Sequence, residues 1–285
     1  MNKGINVLSL FDGMSCARIA LGKAGIEVGK YYSSEIDPYG ITVANANYPQ
    51  DTENRLGDVT KIEGWEMDDI DLLIGGSPCQ GFSFAGKQAQ FDDPRSALFF
   101  EYVRLVTELK PKYFLLENVR MSKESEQVIS DLLGVSPVAI NSVVFTPCDR
   151  KRLYWTNIPF DKNIQPMGLT LGDVVTMDNV EEITDRMDAK VVGTLAHTKA
   201  WGNVRTLEQV GRCLTVAGQG VSNSGCTNIK IGDKHYRPRP ELAEIFQGVP
   251  QGFTNHVSKT QRNAMLGNGF TVDVIAHMLK GIKNV

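Results

Sequence analysis

Asp71-Leu72-Leu73-Ile74-Gly75-Gly76-Ser77-Pro78-Cys79-Gln80-Gly81-Phe82-Ser83 is the stretch on which the reading of the chain turns. Its first residues form a short apolar run of the kind that fills a buried strand, and the Gly75-Gly76 pair stops it. Pro78-Cys79 then stands on a loop at the strand's carboxyl end, where an open α/β sheet places its chemistry. Cysteine is most often a small buried hydrophobe. Between a φ-fixing proline and a polar amide, with glycine close on both sides, Cys79 suits a nucleophile equally well. The rest of the chain has to decide.

Toward the amino terminus, Ile5-Asn6-Val7-Leu8-Ser9-Leu10-Phe11 reads as a first strand. It enters Asp12-Gly13-Met14-Ser15-Cys16 and then a helical pattern of Ala17, Ile19-Ala20-Leu21 and Ala24. Strand, glycine-containing turn and helix open a nucleotide-binding α/β unit, although a single glycine makes the fingerprint weak. Residues 28–34 form a second strand, followed by Glu35-Ile36-Asp37-Pro38. An acid at the end of that strand can accept hydrogen bonds from both ribose hydroxyls of an adenosine ligand. Asp37 before Pro38 suits the cap of a helix over residues 38–47, so Glu35 is assigned to the ribose. Gly57-Asp58-Val59-Thr60 offers Asp58 as an acceptor for an adenine amino group.

Toward the carboxyl terminus, residues 82–94 are rich in Gly, Gln and Asp and form a candidate lid. A helix is expected over 96–109, a strand over 112–116 that delivers Glu117-Asn118-Val119, and a helix over 122–133. Residues 138–145 and 152–158 read as a closing hairpin around Thr146-Pro147-Cys148-Asp149-Arg150-Lys151. The alternation predicts an α/β fold, Rossmann-like and doubly wound, with a mostly parallel sheet and an antiparallel end pair. From 160 to 239 the pattern is short, Gly- and Thr-rich and irregular, which reads as a separate small lobe. Helical patterns return over 241–247, 258–266 and 272–279. The expected division is a catalytic domain over 1–159 and 240–285, with a lobe over 160–239.

Bulk properties narrow the class. The chain has 285 residues, is 42% hydrophobic and carries no apolar run long enough to span a membrane. Its first residues enter a strand pattern at once, so no signal peptide is expected and the compartment would be cytoplasmic. The five cysteines are scattered without a C-x-x-C pair, against a disulfide framework and a thiolate zinc site. No metal is expected. The net charge is −3, yet residues 199–239 hold Lys199, Arg205, Arg212, Lys230, Lys234, Arg237 and Arg239 against Glu208 and Asp233 alone. A basic lobe on an acidic body fits a nucleic-acid footprint on one face, and also a plain solvated surface.

Cys79, Glu117 and the pair Arg150 and Arg152 thus fall on strand-end loops, with an adenosine-type site at the first loop. Methylation of an unactivated pyrimidine carbon needs this set. A thiolate adds to carbon 6 of cytosine while an acid protonates nitrogen 3, and carbon 5 becomes nucleophilic enough to attack a sulfonium methyl group. A guanidinium on the carbonyl oxygen holds the ring and stabilises developing charge.

Phe11-Asp12-Gly13, Gly76-Ser77-Pro78-Cys79-Gln80, Glu117-Asn118-Val119, Arg150-Lys151-Arg152 and Gly267-Asn268-Gly269, in that order, resemble the motif series of the DNA (cytosine-5) methyltransferases. Ser96-Ala97-Leu98-Phe99-Phe100-Glu101-Tyr102 and Arg150-Lys151-Arg152-Leu153-Tyr154-Trp155 are similar to the catalytic domains of the vertebrate de novo enzymes. Compact phage and bacterial enzymes are the nearest likeness. The resemblance covers most of residues 5–158 and 240–282. It implies Cys79 as nucleophile, Glu117 as the group protonating the base, and Arg150 and Arg152 as contacts to a flipped cytosine. It implies S-adenosyl-L-methionine as methyl donor, leaving as S-adenosyl-L-homocysteine. The donor would be held by Phe11, Asp12, Gly13, Met14, Ser15, Cys16, Glu35, Asp58, Val59, Pro78, Asn268, Gly269 and Phe270. Double-stranded DNA would be met by Gln80, Ser83, Lys199, Arg205, Lys230 and Lys234, the lobe acting in target recognition. Arg212-Cys213-Leu214-Thr215 with Gly218 resembles the scaffold of that lobe, leaving Cys213 and Cys226 structural.

Two positions depart from the family pattern: Ser15 stands at a frequent second glycine, and Cys148 at a frequent glutamine. The resemblance also allows a homodimer and a cognate restriction endonuclease as partner, as in some members. Two rival functions remain: an RNA (tRNA) cytosine-5 methyltransferase with the same site, and a catalytically silent DNA-binding relative. The second would be expected to lack Cys79 or Glu117.

Overall fold

The computed structural model describes residues 4–64, 67, 69–78, 94–183, 204–214 and 227–282, with the backbone alone at 94–97. Two compact units divide the chain, one of residues 1–140, 151–162 and 274–285, the other of 141–150 and 163–273.

The first unit is built on a sheet. Its strands are β1 (Ile5–Leu10), β2 (Val28–Ser34), β3 (Leu72–Gly75), β4 (Tyr113–Asn118), β5 (Val138–Asn141) and, beyond the two-residue β6 (Cys148–Asp149), β7 (Lys151–Thr156). The order is β2-β1-β3-β4-β7-β5. β1 is parallel to β2 and β3, and β3 to β4, whereas β7 runs antiparallel to β4 with Glu117 opposite Tyr154. Leu72, Leu73 and Ile74 are all fully buried, as a central parallel strand covered on both faces requires. Leu8, Leu10, Leu73, Phe99, Leu116 and Trp155 form the heart of the core. The expected end pair forms, but β5 stops at Asn141, whose side chain accepts from Val143 N and turns the chain into a 3₁₀ segment.

Helices α1 (Cys16–Lys23), α2 (Pro38–Asn47), α3 (Pro94–Leu109) and α4 (Lys123–Leu133) connect the strands. Asp37 caps α2 through Tyr39 N and Gly40 N at 3.3 and 3.2 Å, with Pro38 at the first helical position. Ser122 caps α4, which ends on left-handed Gly134 (φ 70°).

The second unit holds β8 (Val180–Glu182), β9 (Val204–Arg205), β10 (Gly211–Arg212), β11 (Asn228–Ile231) and β12 (Lys234–Pro238). β6 pairs with β10, and the others form a sheet in the order β8-β12-β11-β9. The region read as irregular therefore carries a sheet. Gly232 and Asp233 alone join β11 to β12, with Ile231 opposite Lys234 and Gly232 at φ 60°. A two-residue turn of this kind matches the right-handed twist of the flanking strands.

Helices α5 (Pro240–Gln247) and α6 (Lys259–Asn268) belong to this second unit, although the sequence reading grouped them with the catalytic domain. Side-chain bonds explain the grouping. Glu244 and Arg262 pair between the two helices at 3.2 Å. Glu181 of β8 binds Arg237 of β12 at 2.8 Å and Lys259 of α6 at 2.5 Å. The last helix, α7 (Val272–Leu279), begins in the second unit and continues into the first. Among the described residues no helix is long and apolar enough to cross a membrane.

The hydrogen bonds from Arg237 and then Lys259 hold the Glu181 carboxyl down at about 2. A carboxylate favoured in the folded state stabilises above its unfolded pKa of about 4.3, and that contribution is lost as pH falls toward 2. Glu181→Gln is expected to lower stability by about 1 kcal/mol at pH 7, because partial exposure screens the pairs. Thermal melts at pH 7, 4.5 and 3 should show the gap between variant and parent closing over the lower part of that range. A gap independent of pH would mean that the charge of Glu181 is irrelevant.

Candidate active site

β1 connects through α1 to β2 on one side, whereas β3 connects through α3 to β4 on the other. The loops leaving β1 and β3 therefore diverge, and a doubly wound sheet opens its ligand crevice at such a point.

The loop after β1 is unusual in its backbone. Phe11 (φ 57°), Gly13 (φ 57°) and Ser15 (φ 65°) all lie in the left-handed region, and two of the three carry side chains. Asp12 between them is buried; it accepts Tyr31 Oη on Oδ1 and Ser15 Oγ on Oδ2, each at 2.6 Å. Burial pushes its carboxyl up, against hydrogen bonds from Ser15 and Tyr31 and the charge of Arg55. A Cβ on Gly40 would stand 2.7 Å from the Gly13 carbonyl oxygen, so the lack of a side chain there lets α2 approach the loop.

Glu35 reaches the same loop. Its Oε2 accepts from Gly13 N at 2.7 Å, and its Oε1 from Ile36 N and Asp37 N at 2.7 and 2.8 Å. One lone pair of Oε2 is left for a ribose hydroxyl. Asp58 uses Oδ1 on the backbone N–H and hydroxyl of Thr60, bonds that lower its pKa, and its second oxygen has no such bond. Val59 is buried beside it.

The loop after β3 is described as far as Pro78. Ser77 is buried, and Asn118 Nδ2 donates to Ser77 Oγ at 3.2 Å and to its carbonyl at 3.4 Å. Asn118 thereby ties the end of β4 to the residue two places before Cys79. Cys79, Gln80, Ser83 and Lys199 themselves lie outside the described residues, as does the candidate lid except for Pro94, which starts α3.

Glu117, 8% exposed, and Arg152 come together, with Arg152 Nε 3.1 Å from Glu117 Oε1. The register places Glu117 opposite Tyr154, so Arg152 is its diagonal neighbour on β7. The contact is close but not aligned as a hydrogen bond, and Glu117 Oε1 is buried without an aligned donor. A buried carboxylate oxygen in that condition suits a base that brings its own N–H.

Arg150 has quite different surroundings. It belongs to the second unit, is 3% exposed, and donates to the carbonyls of Leu214, Gly267 and Gly269 at 3.3, 3.0 and 3.0 Å. Its guanidinium is committed to backbone, whereas the sequence reading had it touch the base beside Arg152. Asn268 is exposed at the end of α6, and Phe270 is buried. Gln247 bonds Leu266 O, Gly269 O and Thr271 Oγ1, so Arg150 and Gln247 hold the 266–271 turn from two directions. Cys148 donates its thiol to Arg212 O at 3.3 Å, and burial pushes that thiol up to about 12, which leaves it inert. Arg205 lies on β9, Lys230 is exposed on β11, and Lys234 pairs with Glu182 at 2.9 Å.

Residues 5–133 match the family of C-5 cytosine-specific DNA methylases. The type II methyltransferase M1.ScrFI of Lactococcus lactis subsp. cremoris is 30% identical over 94% of this chain and 75% of its own length. The chain belongs to the C-5 cytosine-specific DNA methylase family. The type II methyltransferase M.HhaI of Haemophilus parahaemolyticus is 28% identical to this methylase over 98% of the chain and 94% of its own length. An orphan methyltransferase of Bacillus phage rho11s is 42% identical over 41% of the chain. Among solved structures, the Entamoeba histolytica methyltransferase EhMeth superposes with a TM-score of 0.79 at 15% identity, covering 98% of both chains. The S. pombe Dnmt2 methyltransferase gives 0.76 at 17% identity, covering 97% of each. These likenesses show that the methylase has the Rossmann-like fold read from its sequence. Tyr31 and Gln247 are not part of the sequence motifs, and Asn118 enters them only as the neighbour of Glu117; each makes a side-chain hydrogen bond to a residue 19 or more positions away on one of the loops described above.

Proposed function

We propose that this methylase modifies carbon 5 of a flipped cytosine in duplex DNA, with Cys79 as the nucleophile, Glu117 as the acid and Arg152 as the group that orients both acid and base. The observation that carries the reading is the buried Glu117–Arg152 pair, whose Oε1 lacks an aligned donor. The Cys79 thiolate adds to carbon 6 of the ring as Glu117 gives its proton to nitrogen 3, leaving carbon 5 electron-rich. Once carbon 5 has taken the methyl group, loss of its proton to a base expels the thiolate, and nitrogen 3 returns its proton to the Glu117 carboxylate as the aromatic ring is restored. Arg152 is close enough to Glu117 to favour the carboxylate left behind, and it can turn other N–H groups to the cytosine carbonyl.

S-adenosylmethionine supplies an electrophilic methyl group when bound. The residues of the first loop fit it: Glu35 keeps an acceptor for a ribose hydroxyl beside Gly13, Asp58 keeps an oxygen for an amino group, and Phe11 offers a ring. In the lobe, Arg205, Lys230 and Lys234 supply cations for phosphates. The exposed Lys234–Glu182 pair is worth little and gives way to a phosphate at small cost.

The test is methyl transfer by the purified chain from labelled S-adenosylmethionine, followed by bisulfite sequencing of the DNA. Label is expected in duplex DNA as 5-methylcytosine at one short sequence. Label in tRNA with none in duplex DNA would overturn the DNA reading.

A further inference from the structure

Ser15 is the residue that departs from the family glycine, and the structure shows what that position demands. It sits at φ 65° and ψ 43°, where a side chain is disfavoured, and it starts α1 by accepting Arg18 N and Ile19 N on its carbonyl. Its own N–H bonds the Asp12 carbonyl at 2.9 Å, and its hydroxyl the Asp12 carboxylate at 2.6 Å. That carboxylate is in turn fixed by the Tyr31 hydroxyl at 2.6 Å, from the middle of β2. Tyr31 is itself held: it is 1% exposed, and the Arg18 guanidinium lies over its ring at 5.8 Å while bonding Asp51 at 3.1 Å. Arg55 stands 3.8 Å from the other side of the carboxylate and bonds Ser33 Oγ at 2.9 Å. Left-handed conformations of residues with side chains persist where surrounding bonds over-determine them, and they cluster at ligand clamps.

We propose that Tyr31, acting through Asp12 and Ser15, is a positioning residue for the cofactor loop. The hydrogen-bonded chain Tyr31–Asp12–Ser15 keeps a serine in the conformation that a glycine would adopt unaided. The proposal rests on the reading of residues 11–16 as the S-adenosylmethionine loop. It differs from that reading in giving function to a tyrosine that touches no ligand.

The experiment compares Tyr31→Phe, Ser15→Ala and Ser15→Gly with the parent chain. It measures S-adenosylhomocysteine binding by calorimetry, and kcat and KM for cofactor and for duplex DNA. Tyr31→Phe and Ser15→Ala are each expected to weaken binding of S-adenosylhomocysteine about tenfold, because each removes a hydrogen bond to a charged group. KM for S-adenosylmethionine should rise alike, while kcat at saturating cofactor and KM for DNA stay within about twofold. Ser15→Gly should lose less than Ser15→Ala, and adding it to Tyr31→Phe should restore binding, since glycine needs no support at that φ. Unchanged cofactor affinity in both Tyr31→Phe and Ser15→Ala would overturn the proposal, as would Ser15→Gly behaving no better than Ser15→Ala. So would kinetic constants that fall together with the melting temperature, the mark of a purely structural tyrosine. A parent chain that binds no S-adenosylhomocysteine would instead sink the underlying cofactor reading, and the proposal with it.

Discussion

Cys79→Ser is expected to reduce methyl transfer to duplex DNA by about 10⁴-fold or more, the scale seen when an enzyme loses its nucleophile. The hydroxyl of serine is far less acidic than a thiol and is a much weaker nucleophile near neutral pH. The change is nearly isosteric, so the loop that Asn118 anchors at Ser77 should survive it. Cofactor binding should therefore remain within about twofold of the parent, since Glu35 and the 11–15 loop belong to other strand ends. A duplex with 5-fluorocytosine at the target supplies the positive control. The parent chain should form a denaturation-resistant adduct, because no proton can leave carbon 5, and Cys79→Ser should form none. Turnover by the serine variant above a hundredth of the parent rate would remove Cys79 from the mechanism.

The second large effect concerns stability. Glu244 is fully buried, and its oxygens accept from Gly252 N, Thr254 N, Thr254 Oγ1 and Arg262 Nη2. Arg262 in turn donates to Thr254 Oγ1 and to Glu241. Three of these bonds fall on Oε1 and one on Oε2. Removing Glu244 leaves Arg262 with Glu241 alone and strips Gly252 N and the Thr254 N–H and hydroxyl of their acceptor, at a cost of about 3 kcal/mol. Glu244→Leu should accordingly lower Tm by about 10 °C, as read by calorimetry. Combining it with Arg262→Met should recover part of the loss, because two apolar groups can fill the space in which the guanidinium would otherwise lie buried without its inner carboxylate. A Glu244→Leu chain that melts with the parent would mean that water enters the site and solvates Arg262.

The sheet was legible because its strands are buried on both faces and so read as apolar runs; Leu72 to Ile74 is the plainest case. Helix α2 was legible because Asp37-Pro38 is a start signal with a mechanism. That Glu117 and Arg152 fall at one end of the sheet was legible from their motifs; that they pair with each other was not. Arg150 was not separable from Arg152 in sequence: one residue apart, one meets an acid and the other a cluster of carbonyls. The β11–β12 hairpin carried a readable signal, Gly232-Asp233 between Ile229-Lys230-Ile231 and Lys234-His235-Tyr236, which the irregularity around it obscured. Glu244 and Arg262 resembled ordinary helix-surface charges, and their burial depends on a helix pairing that no local pattern specifies. The Tyr31–Asp12 bond spans 19 residues and leaves no periodic trace.

Helix α7 has a consequence for biosynthesis. Val274, Ile275, Met278 and Leu279 have no measurable exposure, and they belong to the unit whose sheet begins at Ile5. A Cβ on Gly281 would strike the Pro159 carbonyl at 1.7 Å, so the strand-end segment and the residues after α7 lie in direct contact. The ribosome thus delivers the second unit complete before it delivers the piece that closes the first. Nascent chains that have emerged only as far as residue 273 would leave the apolar core of the first unit open, the state most exposed to chaperones and proteases.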